Sequence, residues 1–154
     1  FRLGLTWTSN AIEGSSYTES ETKILLEDGI TVAGKTLRET MAALGHAKAY
    51  DYMFTLIGKK GVSEQDILAM HGMLDGGMET GTAGEYRTTA VFITGTTFKF
   101  PPAGEIPVLM QTLFTQTMPG LASLHPVVQS AKIHKEMLPF TPSATATAGW
   151  LALP

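Results

Sequence analysis

One phosphate-binding pattern stands out in the chain. Gly29-Ile-Thr-Val-Ala-Gly34-Lys35-Thr36 matches the P-loop pattern G-x-x-x-x-G-K-[ST] at every fixed position, and in a P-loop backbone N–H groups cradle phosphate while the lysine contacts it. A P-loop must follow a buried strand, but residues 21–28 are better interpreted as a capped helix. No second apolar strand ending in Asp is available to hold Mg²⁺. We therefore expect the match to be accidental.

The titratable side chains show no pattern typical of a metal site or a thiol site. The four histidines have no Cys or His partner at i+3 or i+4, so we predict no resident metal and expect packed or surface roles. His134 in particular is expected to face the core. Because the chain has no cysteine, thiolate chemistry and disulfides are excluded, and the compartment is left open with cytoplasm favoured.

Length and composition favour a single soluble globular domain. The chain has 154 residues, 44% hydrophobic and 16% charged, which excludes a disordered protein. A net charge of −3 with only 11 scattered basic residues excludes nucleic acid as a main partner. No apolar run reaches membrane-spanning length, so no membrane partner is expected. The start at Phe1 instead of Met is interpreted as a fragment.

The elements that must position any site are predicted to be mainly helical. A brief helical turn is expected at residues 11–13, with N-cap oxygens from Thr8, Ser9 and Asn10 and an end at Gly14. One β-hairpin is expected within residues 88–100, because the run is rich in Thr, Val, Phe and Ile around Thr94-Gly95-Thr96. Longer helices follow from apolar spacing and capping signals. They are predicted at residues 18–27, 36–57, 63–74, 106–118 and 126–137.

Several segments, in this order along the chain, resemble the Fic (Fido-fold) family. They are Ser9-Asn-Ala-Ile-Glu13-Gly14, Gly45-His46-Ala47, Gly84-Glu85-Tyr86-Arg87 with the hairpin after it, Ile106-Pro107, and His125-Pro126-Val127 with Ala131 and His134. The resemblance runs from about Leu5 to Met137. It implies a mainly α, Fic-type helical domain with one β-hairpin flap, and the transfer of AMP from ATP to a hydroxyl of a target protein, with Mg²⁺ as cofactor in the intact family member.

The hallmark of that family, H-P-F-x-x-G-N-G-R, is absent. After Phe140 the chain is small, repetitive and without helical period. Regrouping the bases so that each codon takes the third base of one residue and the first two of the next permits Ile, His, Pro, Phe, Ser, Asp, Gly, Asn, Gly, Arg, Leu and Ala from Pro139/Phe140 onward. We infer a one-base slip near Met137, so the motif helix is missing or replaced, no catalytic residue is present, and this chain is predicted to be inactive.

Two family features do survive in the sequence. Ser9, Glu13 and Gly14 match the inhibitory motif, which implies the class with an inhibitory helix upstream of the core. The alternative is that Glu13 merely caps or solvates a short helix. Residues 90–100 resemble the flap that holds a target segment by strand-like pairing, with a plain structural hairpin as the alternative. The flap residues are Val91, Phe92, Ile93, Thr94 and Gly95.

Three functional hypotheses follow. The first is a Fic-type adenylyltransferase, autoinhibited when intact, whose partners are ATP and a target protein; a homodimer is left open. The second is a binding or regulatory module that keeps the flap and inhibitory helix without chemistry, and the third is a P-loop nucleotide hydrolase. The predicted boundaries are an N-terminal segment with the inhibitory helix at 1–17, an incomplete Fic domain at 18–140 and an aberrant tail at 141–154.

Overall fold

The computed structural model describes residues 1–59, 61–75, 83–90 and 99–137. These residues are mainly α-helical and contain no β-strand, so the predicted helical class is confirmed. They form two compact units that divide between Glu85 and Tyr86. Residues 91–98 of the predicted hairpin, and the replaced segment from residue 138 onward, lie outside the described residues, so those two features stay predictions, as do the boundaries at 17/18 and 140/141.

Among the described residues, the first unit contains four helices and the second contains three. The elements of the first unit are α1 (Arg2–Ile12), α2 (Glu19–Lys23) continued by a π-helical turn (Ile24–Asp28), α3 (Leu37–Thr55) and α4 (Glu64–Asp75). Those of the second unit are a 3₁₀ turn (Ala103–Glu105), α5 (Ile106–Thr112), a π-helical turn (Leu113–Thr117), α6 (Met118–Gly120) and α7 (Pro126–Met137).

Reciprocal capping boxes set the starts of three helices. In each, a Ser or Thr side chain accepts the backbone N–H of the acidic residue three positions later, and that carboxylate accepts the backbone N–H of the capping residue. Each cap stabilises its helix by about 1 kcal/mol. The pairs are Thr18–Glu21, Thr36–Glu39 and Ser63–Asp66. The predicted starts of α2, α3 and α4 are therefore confirmed.

The first helix is longer than its sequence predicts. It begins at Arg2, so Thr8, Ser9 and Asn10 lie inside it and the predicted N-cap role of these residues was wrong. The polar side chains bond backward instead: the Thr8 hydroxyl donates to the Gly4 carbonyl at 2.8 Å, and the Asn10 amide donates to the Thr6 carbonyl at 2.8 Å. The predicted end is correct, since the helix stops at Ile12 and Gly14 follows with φ 87°.

Helix α3 is the centre of the first unit, with α1 and α4 both packed against it. The core has two clusters, one around Tyr17, Leu25 and Ala43 and the other around Ala49, Leu56 and Met70. The approach of α3 to α4 is close at Gly45, where a Cβ atom would meet the Met73 carbonyl oxygen at 2.3 Å. Only glycine therefore allows this helix spacing.

The second unit buries one face of the helix around α5. Ile106, Met110 and Leu113 are buried at a spacing of four and three residues, the helical period. Helix α7 has no buried residue, and His134 in its last turn is half-buried, so the expectation that His134 faces the core stays a prediction. Within the described parts of both units, no helix is long and apolar enough to span a bilayer.

Candidate functional site

The residues predicted to inhibit the enzyme lie at the carboxyl end of α1. Ser9 is buried, whereas Glu13 is exposed at the C-cap position, and the Glu13 amide donates to the Ser9 carbonyl at 3.3 Å. No hydrogen bond or ion pair joins the Glu13 carboxylate to another side chain in the described ranges. One end of the motif is thus anchored in the fold while its carboxylate projects outward, a geometry that suits both an inhibitory group and a solvated helix end.

A buried polar contact joins α1 to α3 behind this motif. The hydroxyl of Thr6 lies 3.2 Å from His46 Nδ1, and both residues are buried. Burial lowers the pKa of His46, because desolvation disfavours the imidazolium. His46 Nε2 has no hydrogen-bond partner in the described part of the chain. His46 therefore packs as a neutral ring that orients α1, and the expected packed role is confirmed for this histidine.

The second histidine with a clear role is His71 in α4. It is buried, and its Nδ1 accepts the Gly84 amide at 3.0 Å. Gly84 has φ 79°, and a Cβ there would lie 3.1 Å from the Leu68 carbonyl oxygen. The glycine that begins the Gly84-Glu85-Tyr86-Arg87 motif is therefore held against α4 by a bond that only an unprotonated Nδ1 can accept.

Arg87 joins the two ends of the segment predicted to form the flap. Its Nη1 donates to the Thr89 carbonyl at 2.8 Å and its Nη2 to the Pro101 carbonyl at 2.6 Å. The side chain is buried, and burial lowers the pKa of Arg87 from its ordinary value. The guanidinium therefore closes the base of residues 90–100. The flap residues Val91, Phe92, Ile93, Thr94 and Gly95 themselves lie outside the described residues.

The P-loop hypothesis is wrong. Residues 19–28 are helical where a P-loop needs a strand, and Gly29, with φ 69°, ends that helix. The Lys35 ammonium lies 2.8 Å from the Glu21 carboxylate and donates to the Ser16 carbonyl at 2.6 Å. The lysine that would contact phosphate is thus bound within the protein, and the sequence match reflects the turn between α2 and α3.

No metal site is formed by the described residues, since they contain no group of three or more His, Asp or Glu placed to hold an ion. The described residues alone therefore do not fit Mg²⁺. Sequence reasoning also missed two contacts close to the carboxyl end of α1, in which Lys35 and Glu39 bond to the backbone of Ser16. The T-x-x-E pattern at Thr36 predicts a capping box but gives no signal that its glutamate reaches another segment.

The curated proteins that are similar to this chain carry the same name. No protein-family model matches the chain. A protein adenylyltransferase Fic from Nematostella vectensis is 33% identical over 149 residues, which cover 91% of this chain and 34% of that protein. One from Drosophila willistoni is 32% identical over 138 residues, covering 87% of this chain and 27% of that protein. The chain thus spans about a third of the length of the curated relatives it matches.

Solved structures agree on the fold. A Fic domain containing signaling protein from Bacteroides thetaiotaomicron matches with a TM-score of 0.82 at 22% identity, over 99% of this chain and 59% of that one. Fic-1 from C. elegans, in a form carrying a glutamate-to-glycine substitution, matches with a TM-score of 0.78 at 24% identity, over 96% of this chain and 44% of that one. The fold is therefore that of a Fic domain. Together with the sequence relatives, it places the chain in the Fic family.

Proposed function

We propose that the intact product of this gene is a protein adenylyltransferase, which transfers AMP from ATP to a hydroxyl of a target protein. The observation that carries the proposal is the relationship to curated Fic adenylyltransferases over about nine-tenths of the chain. The chain as given lacks the hallmark motif, so we propose that it has no transferase activity itself. ATP, Mg²⁺ and the target protein belong to the intact enzyme, and a cytoplasmic location and a homodimer stay predictions.

A shifted reading frame would supply the missing chemistry. The codons of the tail, regrouped by one base, permit the continuation His-Pro-Phe-Ser-Asp-Gly-Asn-Gly-Arg. The histidine would accept the proton of the target hydroxyl, the aspartate would hold Mg²⁺, and the glycine-rich turn with its arginine would bind phosphate. The segment that precedes it includes α7, which is helical as the family pattern requires. A single inserted or deleted base therefore accounts for the loss of the whole motif.

We further propose that Glu13 inhibits the intact enzyme by pairing with the arginine of the restored motif. The carboxylate is exposed at the end of α1 and has no partner among the described side chains, so it is available for such a pair. Ser9, one turn earlier, is buried and fixes that end of the helix. Occupying the arginine would misplace the γ-phosphate of ATP and hold the enzyme in an inactive state.

Two measurements test the proposed activity. The genomic DNA around codon 137 should contain the hallmark in a shifted or intact frame. Incubation with ATP labelled in the α-phosphate should then label the frame-restored protein or a target, and should not label the chain as given. If neither frame of the DNA contains the hallmark and no frame-restored protein transfers label, the hypothesis of a non-catalytic binding module is favoured instead.

A further inference from the structure

The main chain leaves α1 through Ser15-Ser16-Tyr17, and it is held there by side chains from the start of α3. We propose that Lys35 and Glu39 are positioning residues, which fix the backbone at Ser16 and so set the direction in which Glu13 projects. This inference rests on the proposed inhibitory role of Glu13. Lys35, Glu39 and the Ser16 backbone together form what we call the Ser16 clasp.

Both polar groups of the Ser16 backbone are bound in the clasp. The Ser16 amide donates to Glu39 Oε1 at 2.6 Å, and the Ser16 carbonyl accepts from Lys35 Nζ at 2.6 Å. Hydrogen bonds with a charged partner are about twice as strong as neutral ones. The amide hydrogen bond is also the main reason that the pKa of Glu39 is lowered to about 2. A single residue is therefore held from both sides by opposite charges.

The residue after the clasp connects it back to α1. Tyr17 is buried, and its hydroxyl lies 2.8 Å from the Thr40 hydroxyl on α3. The Lys35 ammonium lies 5.3 Å from the centre of the Tyr17 ring, within the range of a cation–π contact. The Tyr17 carbonyl accepts the indole N–H of Trp7, in the middle of α1, at 3.2 Å. Movement of residues 16–17 is thus coupled directly to α1.

The clasp is more than a surface ion pair. The Lys35 side chain is only 12% exposed and is also bound to Glu21, while Glu39 also accepts the Thr36 amide that starts α3. By contrast, Lys23 pairs with Glu27 at 3.9 Å, and both side chains are more than half exposed. Such exposed pairs contribute little. Because Lys35 and Glu39 are each held by a second partner, less conformational freedom remains to be lost in binding Ser16.

The Ser16 clasp lies close enough to Glu13 along the chain to affect the direction in which the Glu13 carboxylate projects. Glu13 lies three residues before Ser16, a distance of at most about 10 Å along the chain. Between them Gly14 adopts φ 87°, and the Gly14 and Ser15 amides donate to the Ala11 and Asn10 carbonyls at 3.0 and 2.9 Å, so the turn from Glu13 to Ser16 is one hydrogen-bonded unit. A misplacement of about 1 Å is enough to disturb a geometry used in catalysis. Releasing Ser16 should therefore let Glu13 leave its inhibitory position.

The first test uses the chain as given and needs no enzymatic activity. Lys35→Met removes the cation at similar length, and Lys23→Met is the matched control at an exposed lysine. Amide hydrogen exchange at Glu13, Ser16 and Tyr17, and exchange of the Trp7 indole proton, should accelerate about tenfold in Lys35→Met only. Lys35→Arg should restore protection, since it keeps a cationic donor. If Lys35→Met fails to fold, Glu39→Asp tests the other contact of the Ser16 clasp, because the shorter carboxylate cannot reach the Ser16 amide. Unchanged protection would overturn the inference.

The second test uses the frame-restored protein and separates this inference from the proposed function. Lys35→Met should increase labelling by AMP severalfold, and Glu13→Gly should increase it at least as much. The double variant should show no further increase, because both changes release the same inhibition. If Glu13→Gly activates and Lys35→Met does not, the positioning role is wrong while the function stands. If no variant transfers label, the proposed function is refuted, and with it the regulatory meaning of the clasp.

Discussion

The close approach of α3 and α4 at Gly45 makes a quantitative prediction. In Gly45→Ala, the new Cβ would lie 2.3 Å from the Met73 carbonyl oxygen and 3.1 Å from that of Leu74. Both are backbone atoms, which cannot rotate away, so the helices would have to separate by about 1 Å to reach van der Waals distance. Overpacking of this kind costs about 1–3 kcal/mol, and more where backbone must move.

The helical preference of alanine opposes that cost. Replacing glycine by alanine inside a helix stabilises it by about 1 kcal/mol, so we expect a net destabilisation of up to about 2 kcal/mol for Gly45→Ala. A Cβ at Gly4, in α1, would meet no atom of the described residues within 4 Å, and one at Gly72, in α4, would meet none nearer than 3.5 Å. Gly4→Ala and Gly72→Ala should therefore each be stabilising by up to about 1 kcal/mol.

Urea unfolding of the three variants measures these differences directly. The unfolding midpoint should fall for Gly45→Ala and rise for Gly4→Ala, with the slope unchanged in both. In thermal unfolding the loss should amount to about 2–4 °C per kcal/mol for a chain of this size. If Gly45→Ala is as stable as Gly4→Ala, the two helices do not approach each other closely at Gly45, and the reasoning is refuted.

Two further predictions concern charged groups. Hydrogen bonds from Ser16 and Thr36 lower the pKa of Glu39 from 4.5 to about 2, so its contribution to stability is complete above pH 4.5 and is lost as the pH falls toward 2. Glu39→Gln should therefore flatten the pH dependence of the urea midpoint between about pH 4.5 and 2. Arg87→Lys should destabilise the second unit by about 1–3 kcal/mol, because an ammonium cannot reproduce the planar fork that reaches two carbonyls. Faster amide exchange at Ala90 and Phe100 should accompany that loss.

Each of these predictions has its own control. Glu19 lies in the first turn of α2 and is exposed, and its side chain makes no hydrogen bond to another described residue, so Glu19→Gln is the matched control for the loss of one carboxylate. An equally steep acid dependence in Glu39→Gln would contradict the assignment of that carboxylate. Arg38→Lys, at an exposed position of α3, should leave stability within about 0.5 kcal/mol. Arg87→Lys behaving like Arg38→Lys would show that the two carbonyl contacts do not hold the segment.

The sequence predicted most of the helical framework but not the contacts between its parts. Local signals were sufficient for α3, where Thr36 and Glu39 define the start and apolar spacing defines the length. They failed at the start of α1, because Thr8 and Asn10 look like caps although their side chains bond to carbonyls one turn earlier. A capping pattern and a backward bond use the same residue types, and only the packing of the helix distinguishes them.

In the candidate site too, the contacts between distant segments could not be predicted from the sequence. The sequence predicted Ser9 and Glu13 at opposite ends of one short helical turn, whereas in the structure Ser9 lies inside α1 and only Glu13 stands at a helix end, as its C-cap residue. The sequence around the P-loop match was sufficient to reject it. The partners of Lys35 could not be predicted, because Glu21 and Ser16 lie 14 and 19 residues earlier in the chain. Likewise, nothing local in the sequence shows that Arg87 contacts Pro101, fourteen residues later.

Transfer of AMP by the frame-restored protein, with and without Glu13→Gly, tests the central claim most directly. With folding verified, the parent should label itself or a target weakly with ATP carrying a labelled α-phosphate. Glu13→Gly should raise that labelling about tenfold to a hundredfold, since a charge-assisted pair is worth about 1.5–3 kcal/mol. Absence of label in both proteins would contradict the proposed adenylyl transfer, and equal label in both would remove Glu13 from its inhibitory role.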